Sequence, residues 1–346
     1  MSRALVISGG GSKGAFAVGV IKRLQQQYPE LEFDMFVGTS TGSLITPLVA
    51  LDEMDFLETM FTTKHTEDIV HVKDLGERLG ADSIFDDTPL QNLVVANYSA
   101  DRYNKILSSG KKLFFTSVCL QTGALVVFTT DPDPAQSKYY EVQTIKSVAH
   151  FQAAVLASAS QPVFMHPVHV NAAVPGSAHT NYQFVDGGVR EYAGVQMAID
   201  NGATEIFTIL LSSGTPDDDT VEYNTVFPIL QRLIDIFIDD VGKNDLIIPH
   251  QYNDALQYID AVKKKMESDG ISPAKLNDYF HIAGLDNPFE GKVPLKLYTI
   301  CPDAPLGGGP GGLTFDPVVQ SAMVQKGQDA GEEFIASLDP ADITWA

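Results

Sequence analysis

The sequence is poor in cysteine, in basic residues and in long apolar runs. Cys119 and Cys301 are its only cysteines, each inside an apolar stretch and without metal-ligand spacing. The expectation is two buried, reduced thiols, with neither a disulfide nor a metal site. Lys and Arg number 23 against 44 Asp and Glu, a formal net charge of −21. Nucleic acids need clustered cations to neutralise phosphates, and anionic bilayers need them for electrostatic adhesion, so this balance argues against both. No apolar stretch approaches the length of a transmembrane helix. The opening MSRALVISGGG has one basic residue, a short apolar run and no small-residue cleavage site, so a signal peptide is not expected and a cytoplasmic location is. Low-complexity tracts and fixed-period repeats are also lacking.

What the chain has is core-forming material and alternation. At 346 residues and 44% hydrophobic composition it can bury a substantial core as one domain, residues 1–346. Short apolar runs at 4–7, 34–37, 182–185, 205–211 and 296–301 read as strands. Residues 112–120 and 124–130, joined by Gln121-Thr122-Gly123, suit a hairpin. Helices are expected where Phe16, Val20 and Leu24 repeat, and over 41–51, 144–159 and 316–335. This alternation predicts an α/β fold with a mostly parallel, covered central sheet. Residues 212–295 interrupt it. They hold Ser212-Ser213-Gly214, the acidic turn Asp217-Asp218-Asp219 and a long helical pattern to about Ser268, and are expected to form a helical insertion.

Three loops could carry chemistry. Gly38-Thr39-Ser40-Thr41-Gly42 fits G-x-S-x-G between an expected strand and an expected helix. A nucleophile elbow needs that placement to expose a serine Oγ above the sheet edge. The pentapeptide alone fits an inert strand-to-helix turn equally well. Gly9-Gly10-Gly11-Ser12-Lys13-Gly14 also joins a strand to a helix, and its amides could converge on an oxyanion. Gly9, Gly11 and Gly14 fit the dinucleotide pattern G-x-G-x-x-G as well, but Asp34 begins the next strand where that pattern wants an acid at its end. No Gly-Lys-Ser/Thr follows to make a phosphate loop. Asp186-Gly187-Gly188 ends a short strand, where α/β sheets host ligands. In a serine hydrolase with a histidine, that histidine follows the acid. Only His250 and His281 do, both within 212–295, whereas His166, His169 and His179 precede it. The residues therefore point to a Ser40–Asp186 dyad.

Together the three motifs resemble the patatin-like phospholipases. That family's glycine-rich oxyanion loop with a basic residue is matched by residues 9–14, its elbow by Ser40, and its D-G-G/A acid motif by Asp186. Ala157-Ser158-Ala159-Ser160-Gln161-Pro162, with Phe164 and Pro167, looks like the segment before the family's acid. The resemblance covers 4–211 and resumes over 295–335. It implies a three-layer α/β/α fold and hydrolysis of phospholipids, galactolipids or neutral glycerides without metal or organic cofactor. It casts Ser40 as nucleophile, Asp186 as base, and the amides of Gly9, Gly10, Gly11 and Thr41 as the oxyanion hole, with Gly14, Gly38, Gly42, Gly187 and Gly188 supporting the turns. Lys13 is expected to orient the glycine loop, to attract an anionic headgroup, or simply to be a surface lysine. Pro47 departs from the pattern and is expected to kink or shorten the elbow helix. The apolar segment from Val226 to Ile238 is read as core cover, or else as a lid or acyl-chain wall in transient contact with a membrane surface. The alternatives are a soluble-ester esterase with the same dyad, and a non-catalytic lipid- or dinucleotide-binding protein.

Overall fold

The computed structural model describes residues 2–73, 80–213, 222–289, 291–339, 343 and 345. Gly214 and the acidic turn Asp217-Asp218-Asp219 lie outside the described residues.

Strand β1 (Arg3–Ile7) turns Leu5 and Ile7 into one core and Ala4 and Val6 into another. A strand alternates sides every residue, so a continuous apolar run means both sheet faces are covered. The other strands are β2 (Met35–Gly38), β3 (His71–Val72), β4 (Phe85–Asp86), β5 (Lys112–Cys119), β6 (Leu125–Thr129), β7 (Glu141–Thr144), β8 (Phe184–Asp186), β9 (Glu205–Ile209) and β10 (Lys296–Ile300). The main sheet runs β10-β9-β1-β2-β5-β6-β7, with β8 also paired to β5. Its pairings are parallel except where β5 meets β6 and β8.

The helices are α1 (Gly14–Gln27), α2 (Thr41–Ala50), α3 (Met54–Thr62), α4 (Thr88–Asn97), α5 (Ala100–Ser109), α6 (Val148–Ala159), α7 (Val195–Asp200), α8 (Val226–Ser268), α9 (Pro273–Phe280) and α10 (Pro317–Ser337). Phe16 of α1, Ile45 of α2, Leu57 of α3, Phe151 of α6 and Met323 of α10 fill the first core. Val195, Met197 and Ala198 of α7 fill the second. Helix, sheet and helix make three layers. The long α8 reaches both cores, with Ile234 in the first and Leu246 against the second.

One feature of the sheet positions the site. β2 pairs with β5 over Lys112 to Phe115, ending with Gly38 opposite Phe115. β8 pairs antiparallel with the far half of β5, with Asp186 opposite Ser117. The other edge of β5 is taken by β6, so β2 and β8 share one edge and run toward each other. Their carboxyl ends meet across Thr116.

Several expectations need correction. The helix expected over 144–159 begins at Val148, because Thr144 ends β7 and Ser147 caps the helix by accepting from His150 N–H at 3.2 Å. α2 runs through Pro47 to Ala50. The proline removes a single donor one turn from the end, and Leu51 N–H closes that turn onto Pro47 O at 3.2 Å. Cys119 is buried and Cys301 is exposed, both as free thiols. Cys301 follows β10, which among the described residues has a sheet partner on one side only. Among the described residues no helix is long and apolar enough to cross a membrane.

Candidate active site

At the end of β2 the chain turns so sharply that Ser40 adopts φ 55° and ψ −125°, a conformation L side chains rarely take. Hydrogen bonds hold it there. Ser40 N–H donates to Ser158 Oγ at 3.1 Å, and Ser40 O accepts from Ser43 Oγ at 2.6 Å and Ser43 N–H at 2.9 Å. Close approach fixes the flanking glycines. A Cβ on Gly42 would stand 2.2 Å from Ile7 O, and one on Gly38 would stand 2.5 Å from the Gly42 backbone. Ser40 makes no side-chain cap to α2, so its hydroxyl remains available.

Asp186 is buried, at 4% exposure. Its N–H donates to Ser160 O at 2.8 Å, and its Oδ1 accepts from Gly188 N–H at 2.7 Å. The Ser40 side chain lies on the same cavity wall, near enough to act on its carboxylate. Burial pushes its pKa up to about 6, against the opposing pull of the Ser40 hydroxyl and the Gly188 N–H. Between the two strand ends, Thr116 Oγ1 shares a 2.7 Å hydrogen bond with Thr39 Oγ1. A Cβ on Gly187 would fall 2.1 Å from the same Thr116 oxygen, which explains the first glycine after the acid.

The glycine loop lies over the serine. A Cβ on Gly9 would be 3.0 Å from Ser40 Cβ. Gly9 O accepts from Tyr192 OH at 2.8 Å and Ser8 Oγ at 3.2 Å. Among the described residues, the amides of Gly10, Gly11 and Thr41 have no acceptor. Lys13, at the start of α1, forms no ion pair there either. Gly9, Gly10, Gly11, Lys13, Ser40, Thr41, Asp186 and Gly188 all line one cavity of about 1230 Å³. Its far walls are apolar, with Leu44 and Leu48 from α2, Phe56 and Met60 from α3, and Ile236 and Ile238 from α8. Gly14, Gly38, Gly42 and Gly187 stand behind it as packing positions.

No histidine lines the cavity among the described residues. His166 pairs with Asp87, and His150 is buried, which pushes its pKa down to about 4. No cluster of three or more His, Cys, Asp or Glu suited to a metal occurs among the described residues. A Cβ on Gly11 would meet Gly312 O at 2.3 Å, so a second stretch of backbone packs against the glycine loop.

Sequence reading missed the second layer. Tyr192 N–H and Ala193 N–H donate to Asp245 Oδ2 at 2.5 and 3.2 Å, and Gly194 N–H donates to Glu191 Oε1 at 3.0 Å. Burial raises the pKa of both acids, and the neighbouring charge of Asp245 raises Glu191 further. Asp245 lies on α8, more than 50 positions from the segment it holds, and no local pattern could have paired them.

A family model described as patatin-like phospholipase matches residues 5–199, and the chain belongs to that family of lipid acyl hydrolases. The matched span contains the glycine loop, the elbow and Asp186. The chain is similar to a cUMP-AMP-activated phospholipase of Escherichia coli, 30% identical over an alignment of 108 residues that covers 27% of this chain and 33% of the relative. The chain thus spans about a third of that relative's length. The crystal structure of VipD from Legionella pneumophila aligns over 97% of this chain and 67% of its own, with 13% identity and a TM-score of 0.38.

Proposed function

We propose that this protein cleaves acyl esters of lipids through a Ser40–Asp186 dyad. The observation that carries this reading is the meeting of β2 and β8 on β5, which sets Ser40 and the buried Asp186 together on the wall of a large apolar cavity. Ser40 Oγ attacks the ester carbonyl as Asp186 takes its proton. The tetrahedral oxyanion draws on the free amides of Gly10 and Gly11, with Gly9 and Thr41 beside them. Each such donor is typically worth about 2.7–4 kcal/mol in the transition state. Asp186 then protonates the departing alcohol, and water, activated by the same carboxylate, releases the fatty acid. An unperturbed aspartate, near pKa 3.9, would be a poor base at neutral pH, and the upward shift to about 6 narrows that gap.

The cavity's size and apolar walls favour long-chain lipid esters over small soluble ones. In this reading 212–295 is an insertion whose helix α8 walls the acyl-chain side. Fluorophosphonate labelling followed by adduct mapping tests the proposal. Modification at Ser40, together with fatty-acid release from phospholipid or glyceride vesicles that disappears in Ser40→Ala, is the expected result. A label at another residue, or equal release by both proteins, sinks it.

A further inference from the structure

A second glycine-rich run, Gly307-Gly308-Gly309-Pro310-Gly311-Gly312, lies outside the span matched by the family model and closes over the first. A Cβ on Gly312 would stand 2.2 Å from Gly10 O, and one on Gly308 would stand 2.5 Å from Ser12 Oγ. Gly307, Gly309 and Gly311 line the cavity together with Gln161 and Gln320. Four buried polar atoms around this loop have no hydrogen-bond partner among the described residues: Ser12 Oγ, Gln161 Oε1, and both Oε1 and Nε2 of Gln320. Gln161 is 7% exposed and Gln320 is 1% exposed. Gln161 sits against Gly311, where a Cβ would come 3.0 Å from its Nε2. Gln320 precedes Met323 by one helical turn, and the Met323 methyl would be 3.6 Å from a Cβ on Gly308. Gln161 thus lies against the glycine backbone of this loop, and Gln320 lines the same cavity from α10. Buried polar groups are almost always paired, so this gathering of unpaired ones asks for an occupant.

Resting on the lipid-hydrolase reading above, we propose that Gln161, Gln320 and the loop 307–312 form a subsite for a neutral, hydroxyl-rich lipid head. The amide oxygens need hydrogen donors and the Gln320 nitrogen needs an acceptor. A hydroxyl gives and accepts, so neighbouring hydroxyls of a glycerol or sugar satisfy both. Turning either amide over exchanges its two ends and leaves the same demand. A phosphate or carboxylate only accepts. It would leave the amide oxygens unpaired and set negative charge against them. The contact of Gly312 with Gly10 puts this subsite beside the amides over Ser40, with the acyl chain directed to the apolar walls of α2 and α3. Lys13, Lys64 and Arg232 also line the cavity and are the cations an anionic head would use.

Calorimetric titration of Ser40→Ala protein with 1-O-decylglycerol and with decyl phosphate tests the assignment without turnover. The glycerol ether is expected to bind at least about tenfold tighter, and Gln161→Leu and Gln320→Leu are each expected to weaken it about tenfold, as loss of a buried hydrogen bond does. Equal or tighter binding of decyl phosphate overturns the subsite and gives the head to the cavity's cations. So does unchanged affinity for the glycerol ether in both folded glutamine variants. The comparison of heads needs neither glutamine variant to fold. Failure of fluorophosphonate to label Ser40 in the wild type would instead strike the hydrolase reading, and it is read in a separate experiment.

Discussion

Tyr192 donates its phenol hydrogen to the carbonyl oxygen of Gly9 at 2.8 Å, tying the loop after the acid to the loop above the serine. Tyr192→Phe keeps the ring and removes this bond, worth about 1 kcal/mol. The expected outcome is a several-fold lower kcat with little change in KM, because the displaced glycine amides serve the transition state. Steady-state kinetics on one long-chain ester checks it, and a change confined to KM would contradict it.

The buried carboxyl of Asp186 sets a pH limb. As base it must be ionised, so log kcat/KM is expected to fall with unit slope below about pH 6. A limb near pH 4 would mean that burial does not raise this group.

The same shift has a stability consequence of definite sign. A carboxyl whose folded pKa lies above its unfolded one favours folding when protonated, and that advantage is lost as pH rises through the folded value. Asp186→Asn keeps an acceptor for Gly188 N–H and removes the charge. It is expected to abolish turnover yet gain on the order of 3 kcal/mol of stability at pH 8, with no gain near pH 4. Urea melts of both proteins at the two pH values decide it.

Glu191 and Asp245 form a buried acidic pair with both pKa values raised, so the sign is the same. Stability is expected to fall as pH climbs above the ordinary carboxylate range, because ionising both acids sets like charges together where α8 clasps the segment before α7. Glu191→Gln is expected to flatten Tm against pH. A parallel downward slope in wild type and variant would dismiss the pair as its source.

Gly42→Ala probes the elbow itself. Its Cβ would lie 2.2 Å from Ile7 O, a backbone atom that cannot step aside without moving β1. A loss of about 3 kcal/mol or more is expected, read as a lower Tm or insoluble protein.

Much of this was legible in the sequence because local rules govern it. Apolar run length marked β1, β2 and β9, the Gln121-Thr122-Gly123 turn marked the β5–β6 hairpin, and Ser268 closes α8 as its pattern suggested. The two motif glycines of the elbow follow from steric contact within a few residues and with β1. Other features depend on tertiary company. Nothing near Asp186 says that its strand is antiparallel to β5, and nothing near Tyr192 names Asp245 or Gly9. The helices between Met54 and Ser109 carry no motif that marks them in the sequence. The run at 307–312 was visible as composition, but its partner is the backbone of another glycine loop, which composition cannot indicate.

The head-on meeting of β2 and β8 makes β5 a ruler. Serine and acid are placed by counting along its backbone, from Phe115 to Ser117, so their separation follows from the repeat of a single strand. Roughly 140 residues of chain pass between them without setting that distance. Apart from the Ser158–Ser160 segment that holds both backbones, loops and helices in that stretch can therefore lengthen, shorten or change sequence while the two side chains keep their spacing, provided the ruler keeps its register.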